Sequence, residues 1–441
     1  MSTRLPLLLA LTVAVASGAA AQNPLVTDQF TADPTARVFD GRVYVYPSHD
    51  VDCGTDWFCM QDYHVFSSED LIEWTDHGQI LHQDDVAWVD ASANAMWAPD
   101  AVERDGRYYF YFPAVGDSTG EYRGRRIGVA TADAPAGPFT PEPAPIEGIF
   151  GIDPNVLIGA DGQAYIYWSG RGLYGARLAD DMMTLASEPV RLDESFPGGF
   201  KEGPFVFERE GVYYFTFPHV IHETEALAYA TGPTPLGPFE YQGVFMEEHA
   251  SGCWTNHHSI VEVDGDWLLF YHHNDLSPSF DKNRSIRADS LFFEPDGAIQ
   301  RVTMTHRGVG LADAREPIQI DRFSATSGAG VSTRFLDPDD VHAGWALTLG
   351  QNGSWASFEG VEVGATPPAS VRLRVQSESG GMVKVRVGRD GDYATADLEI
   401  APGTDWQTVS APIADVPTGV RDVWVSLRSE GAVEVDWVRF E

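Results

Sequence analysis

Five times along the chain a run of alternating apolar and polar positions breaks at an acidic residue and a glycine, then resumes as an aromatic-rich run. The segments are FDGRVYVYP, RDGRYYFYF, ADGQAYIYW, REGVYYFTF and VDGDWLLFY, with glycines at Gly41, Gly106, Gly162, Gly211 and Gly265. Period-two alternation is the mark of a half-buried strand. Asp-Gly or Glu-Gly between two β-prone runs predicts a hairpin, because glycine accepts the positive φ of a tight turn. A second, looser strand pair follows, as in VFSSEDLIEWTDHG from Val65, IGVATADAPAGPFT from Ile127 and LAYATGPTPLGPFEYQG from Leu227, and the Gly-Pro-Phe at Gly137 returns at Gly237. Two hairpins per repeat make a four-stranded unit. Recurrence every 50 to 65 residues or so is the signature of propeller blades around a central channel.

From about Ile318 the pattern changes. Aromatic hairpins give way to alternating Val, Ser, Thr and Arg, as in SVRLRVQSES and VKVRVGRDG, which reads as half-buried antiparallel sheet. The predicted architecture is all-β: a five-bladed β-propeller over 22–316, then a jelly-roll-like β-sandwich over 317–441. A chain of 441 residues exceeds the size at which one core stops growing, which agrees with two domains.

The first residues stand outside this pattern. Arg4, the apolar run Leu5 to Ala16 and the small residues Ala19-Ala20-Ala21 read as a secretory signal over 1–21, with a mature start near Gln22 and a secreted or periplasmic destination. A formal charge of -36 disfavours nucleic acid and anionic membrane surfaces, and no second apolar run is long enough for membrane insertion. A neutral partner is expected; no oligomeric state is specified. Of three cysteines, Cys53 and Cys59 flank a short loop that an oxidising compartment could staple. Cys253 is left as a free thiol.

The chemistry enters where the first strand of each repeat carries a polar group. These are Asp33 in ADPTARVFDG, Asp100 in WAPDAVERDG, Asp153 in IDPNVLIGADG, Glu202 in KEGPFVFEREG and His257-His258 in NHHSIVEVDG. The first strand of a blade is its innermost, so equivalent positions converge on one axial cavity. Carboxylates facing one another raise each other's proton affinity, a costly arrangement unless chemistry or a cation uses it. Two carboxyl groups flanking an anomeric carbon break glycosidic bonds, and Asp33, Asp153 and Glu202 are the candidates. Any one alone reads as a turn acid; as a set in register with the repeat they point to function.

The segments ADPTARVFDGRVYVYPSHD, MWAPDAVERDGRYYFYF, IDPNVLIGADGQAYIYWSG, KEGPFVFEREGVYYFTFP and NHHSIVEVDGDWLLFYHH resemble glycoside hydrolase family 43. The resemblance implies an inverting glycosidase that needs no cofactor for its chemistry. It makes Asp33 the general base, Glu202 the general acid and Asp153 the group that positions Glu202 and keeps it protonated. It also implies substrate contacts at His49, Asp50, Asp100, His257 and Arg284 and a structural calcium near His257, while Trp97 and Trp168 are candidate sugar-stacking walls, with core packing the alternative for Trp168. GQNGSWASFEGVEV, GTDWQTVSAPI and AVEVDWVRFE resemble family 6 carbohydrate-binding modules, with Trp345 and Trp406 as an expected stacking pair. Glu434 departs from that pattern, which favours asparagine there.

The activity implied is release of pentose or furanose units from plant-type polysaccharides or oligosaccharides, foremost as an α-L-arabinofuranosidase on arabinoxylan. β-Xylosidase, β-galactofuranosidase and endo-arabinanase activities share the scaffold. A non-catalytic sugar-binding propeller and a retaining fructan-type enzyme with Asp33 as nucleophile are the rival readings.

Overall fold

The computed structural model describes residues 23–389 and 391–441; the expected signal segment lies outside the described residues. Five small antiparallel sheets, made of strands from Phe30–Phe39 to Ser285–Leu291, form the first part of the described residues. Blade I runs from Phe30–Phe39 to Thr75–His82, blade II from Asp100–Arg104 to Thr140–Pro141, and blade III from Ile152–Ile158 to Val190–Arg191. Blade IV runs from Phe205–Arg209 to Glu240–Met246, and blade V from Ser259–Val263 to Ser285–Leu291. Within each sheet the strands follow sequence order outward from the axis. The five first strands neighbour one another in a closed ring, I to II to III to IV to V and back to I, which makes the array a five-bladed propeller.

The hairpin signals fold as the pattern predicts. Asp40-Gly41, Asp105-Gly106, Glu210-Gly211 and Asp264-Gly265 all carry positive φ at both positions, the type I′ geometry whose twist matches that of paired strands. Aromatic residues pack between blades, as where Tyr46, Tyr63, Phe110 and Phe112 form one buried cluster between blades I and II. The ring is fastened by the start of the described chain. Leu25 N–H donates to the carbonyl of Ile286 (2.8 Å), and the Asn23 side chain both donates to and accepts from Ala288 (3.0 and 2.9 Å).

The sandwich has two sheets whose inner faces meet at a valine-rich core that includes Val371, Leu373, Val385, Val425 and Val435. Its first pairing comes earlier than the composition shift suggests: Ala312–Asp313 runs parallel to Val361 and Glu362. The boundary therefore lies a few residues before 317. The two domains touch: Arg307 donates to the carbonyl of Glu359 (2.6 Å), and His342 Nδ1 meets the carbonyl of Thr27 (2.9 Å).

Candidate active site

Asp33 and Asp153 sit at the same place in two different blades, and the local backbone explains why their carboxyls face the axis. Each precedes a proline, each has positive φ (49° and 54°), and strand register slips there in both blades. A bulge of this kind re-aims a side chain and stores strain on the order of 1–3 kcal/mol per residue, which the surrounding packing must hold. In blade IV the same left-handed position falls on Gly203, one residue after Glu202 and just before Pro204 (φ 52°). A Cβ on Gly203 would lie 2.8 Å from Nδ1 of His257, so the glycine lets that ring pack beside the acid.

Asp33, Asp153, Glu202, Trp97, His257 and Arg284 line one cavity of about 280 Å³. Its electrostatics separate the carboxyls. Burial alone would raise Asp33, but Arg284, whose Nη1 lies 2.9 Å from Oδ1, and the Ser48 hydroxyl, 2.6 Å from Oδ2, outweigh it and hold the carboxyl at about 2. Asp153 is pushed up to about 7 by burial and by neighbouring Glu202, against the N–H of Gly203 (3.1 Å). Glu202 is raised well above the usual carboxyl range, first by burial and then by Glu225. The cavity thus holds an ionised carboxylate and a protonated carboxyl, the pair that acid–base cleavage of a glycosidic bond requires.

Glu225 was not visible as a site residue in the sequence. It is fully buried, its Oε2 accepts the N–H of Asn256 (2.9 Å), its Oε1 has no hydrogen-bond partner, and its charge and the Glu202 carboxyl act on each other's proton affinity. Its own pKa is raised to about 7 by burial. Glu202 is the proton holder of this pair. The Gly-Pro-Phe repeats at 137 and 237 could have revealed it, because they place Arg125 and Glu225 at equivalent starts of their third strands. Both residues act on Glu202, Arg125 lowering and Glu225 raising its proton affinity. The cavity rim also includes Trp57, Phe58, Phe200 and Trp254. Trp57 and Phe58 ride on the loop closed by the Cys53–Cys59 disulfide, and Cys253 is free and buried.

Several expected contacts lie elsewhere. Asp50 does not face the cavity; both its oxygens bind Arg284 (2.9 Å each), so it anchors the arginine that holds Asp33. His49, one residue before it, points to the opposite face of the strand and pairs with Asp62 (2.7 Å), away from the cavity lining. Asp100 is wholly buried and ties three blades together through Arg37, Asn155 and the N–H of Val156 (2.6, 3.0 and 2.6 Å). Trp168 is buried and stacked on Tyr174 (5.8 Å), bordering a neighbouring cleft.

Trp345 and Trp406 are not a stacking pair. Two strands separate theirs, a spacing of about 14 Å. Trp345 packs on Phe335 under Arg322 next to the propeller, whereas Trp406 lies under Arg374 on the outer face of the sheet. Glu434 forms an ion pair with Arg334 on that outer face (2.6 Å). The other sheet exposes Trp424 with the Arg386 guanidinium 3.9 Å over its ring, in a shallow cavity shared with Trp355 and Lys384.

Near His257 the described residues do not build a calcium cage. Calcium takes roughly six to eight oxygen ligands, whereas the carboxyls that act on His257 are Asp33, already held by Arg284 and Ser48, and Asp153, whose proton affinity is raised. An ion there would be held mainly by water.

A closed five-bladed propeller with a split-pKa carboxyl set at its axis defines a glycoside hydrolase acting on O-glycosyl bonds. Residues 21–299 match Glycosyl hydrolases family 43, well over half of the chain, and the protein belongs to that family. Residues 323–441 match the family 6 carbohydrate binding module. Xylosidase/arabinosidase 43A of Humicola insolens is 38% identical over 331 residues, covering 63% of this chain and 98% of that protein. The arabinoxylan arabinofuranohydrolase of Bacillus subtilis is 26% identical over 484 residues, covering 93% and 90%. Among solved structures, a family 43 β-xylosidase/α-arabinofuranosidase from a compost metagenome, bound to xylotriose in a calcium-free form, superposes with TM-score 0.58. It is 37% identical, with 64% of this chain and 98% of that one covered. The protein is a glycoside hydrolase of xylan or arabinoxylan degradation and takes an oligosaccharide or polysaccharide substrate.

Proposed function

We propose that the protein is an inverting, exo-acting pentosidase that removes one terminal sugar at a time, foremost α-L-arabinofuranosyl branches of arabinoxylan and, in the same pocket, terminal β-xylosyl units. The reading rests on one observation: ionised Asp33, fixed by Arg284, shares a small cavity with protonated Glu202. About 280 Å³ suits one pentose ring and not a polymer threaded through. Asp33 takes a proton from water as its oxygen attacks the anomeric carbon. Glu202 gives its proton to the glycosidic oxygen as the carbon–oxygen bond breaks. Relatives named xylosidase/arabinosidase support both sugars.

A proton NMR time course with arabinoxylan, xylo-oligosaccharides and aryl α-arabinofuranoside, β-xyloside and β-galactofuranoside tests this. Release of arabinose or xylose as the inverted anomer is expected. Retained configuration would overturn the mechanism, and binding without release would leave a lectin. We also propose export, on the signal-like first residues and the Cys53–Cys59 pair, since disulfides persist in oxidising compartments. Sequencing the amino terminus of protein expressed in its own host would show cleavage near Gln22; an uncut chain would refute export by that signal.

A further inference from the structure

A second cleft of about 680 Å³ opens beside the catalytic cavity and shares Arg125, Ile152, Phe200 and Glu202 with it. Because Glu202 protonates the leaving oxygen, the cleft on its far side receives the leaving group. Its lining is unusual for this chain. Arg123, Arg125, Arg171 and Lys201 face it, and Glu202, which holds its proton, is the one acidic residue among the lining side chains. The protein as a whole has 29 basic against 65 acidic residues. Even so, among the described residues Arg123, Arg125 and Arg171 form no ion pair within 4.0 Å. Lys201 is occupied by the backbone carbonyl oxygens of Pro197 and Gly199. Exposed Phe150, with Arg126 stacked 3.8 Å from its ring centroid, offers a flat apolar wall in the same cleft.

Unpaired guanidinium groups in an acidic protein concentrate anions locally, and their planar fork matches a carboxylate. We infer that this cleft binds a leaving group bearing a carboxylate, so that the preferred substrate is a xylan-type chain carrying a uronic acid branch close to the bond that is cut. The inference rests on the glycosidase reading above and adds the charge of the substrate to it. Neutral decorated chains still fit, but without a partner for Arg123 and Arg171.

The test compares xylo-oligosaccharides of equal length, with and without a single glucuronic acid branch on the leaving-group side, by kcat/KM. The acidic substrate is expected to be favoured on the order of tenfold, the scale of one charge-assisted hydrogen bond. The preference should shrink as salt is raised toward about 1 M. Arg123→Gln and Arg171→Gln, both on exposed loops, should lower the acidic-to-neutral ratio, and Arg171→Lys should restore part of it. Near-ultraviolet circular dichroism would verify that each variant is folded. Equal or slower cleavage of the acidic substrate overturns this inference while the glycosidase reading stands. Cleavage of neither oligosaccharide nor of any aryl pentoside brings down both.

Discussion

At the residue scale the site works by opposing environments for like groups. Asp33 is buried and Glu202 half-buried, yet the arginine beside Asp33 lowers its proton affinity, whereas desolvation and neighbouring Glu225 raise that of Glu202. Glu202→Gln should abolish cleavage of oligosaccharides while sparing some turnover of aryl glycosides with good leaving groups, because only the former need a proton; equal loss on both would refute the acid role. Glu225→Gln removes a negative neighbour that raises Glu202, so the alkaline limb of the kcat/KM profile should move to lower pH. An unmoved limb would exclude Glu225 as the residue that keeps Glu202 protonated. Asp153 gives a stability prediction. Its folded pKa of about 7 exceeds the ordinary 3.8, so its contribution is full below about pH 4 and is lost as pH rises through 7. Relative to the parent, Asp153→Asn should therefore gain in melting temperature from pH 4 to 8. A difference that stays flat over that range would show that Asp153 ionises freely in the folded protein.

At the element scale, the repeat made the carboxyl set legible, since one position per innermost strand is a rule that sequence alone can express. Its failures have a physical cause. Asp100 and His49 obey the alternation of their strands, but inter-blade packing decides whether such a residue meets the cavity or an arginine of the next blade. Asp100 meets Arg37 and is consumed. Glu225 and Arg125 come from third strands, off the register that marks the first, and were invisible until the Gly-Pro-Phe repeats are superimposed. The stacking pair expected of Trp345 and Trp406 failed for a similar reason: strand order, which local pattern does not encode, puts two strands between them. The Cys53–Cys59 loop is an element whose function follows from what it carries. Replacing both cysteines with serine should raise KM several-fold through a looser Trp57–Phe58 wall, with a smaller change in kcat, since Phe58 only stacks on Arg284 (4.8 Å) while Asp50 and Asp33 fix that guanidinium by hydrogen bonds of 2.9 Å. An unchanged KM with full activity would remove the loop from the binding wall.

At the scale of the whole molecule, charge is the dominant fact. A net formal charge of -36 is spread over both domains, and most of its carboxylates are exposed and unpaired with lysine or arginine. Mutual repulsion among them acts against any compact state, more in the folded chain than in the expanded one, where the same charges lie farther apart. Salt shortens the screening length from about 10 Å at 0.1 M to about 3 Å at 1 M. Surface repulsion fades over that range, whereas buried pairs such as Arg284 with Asp33 and Asp50, whose side chains are at most 7% exposed, are screened far less. The melting temperature at pH 7 should therefore climb with sodium chloride, and the rise should flatten near pH 4.5, the isoelectric point expected from composition, where there is little repulsion left to screen. Calorimetry at both pH values distinguishes this from a general salting-out effect on apolar burial, which would raise stability equally at either pH; a fall in melting temperature at pH 7 would mean that exposed ion pairs outweigh repulsion.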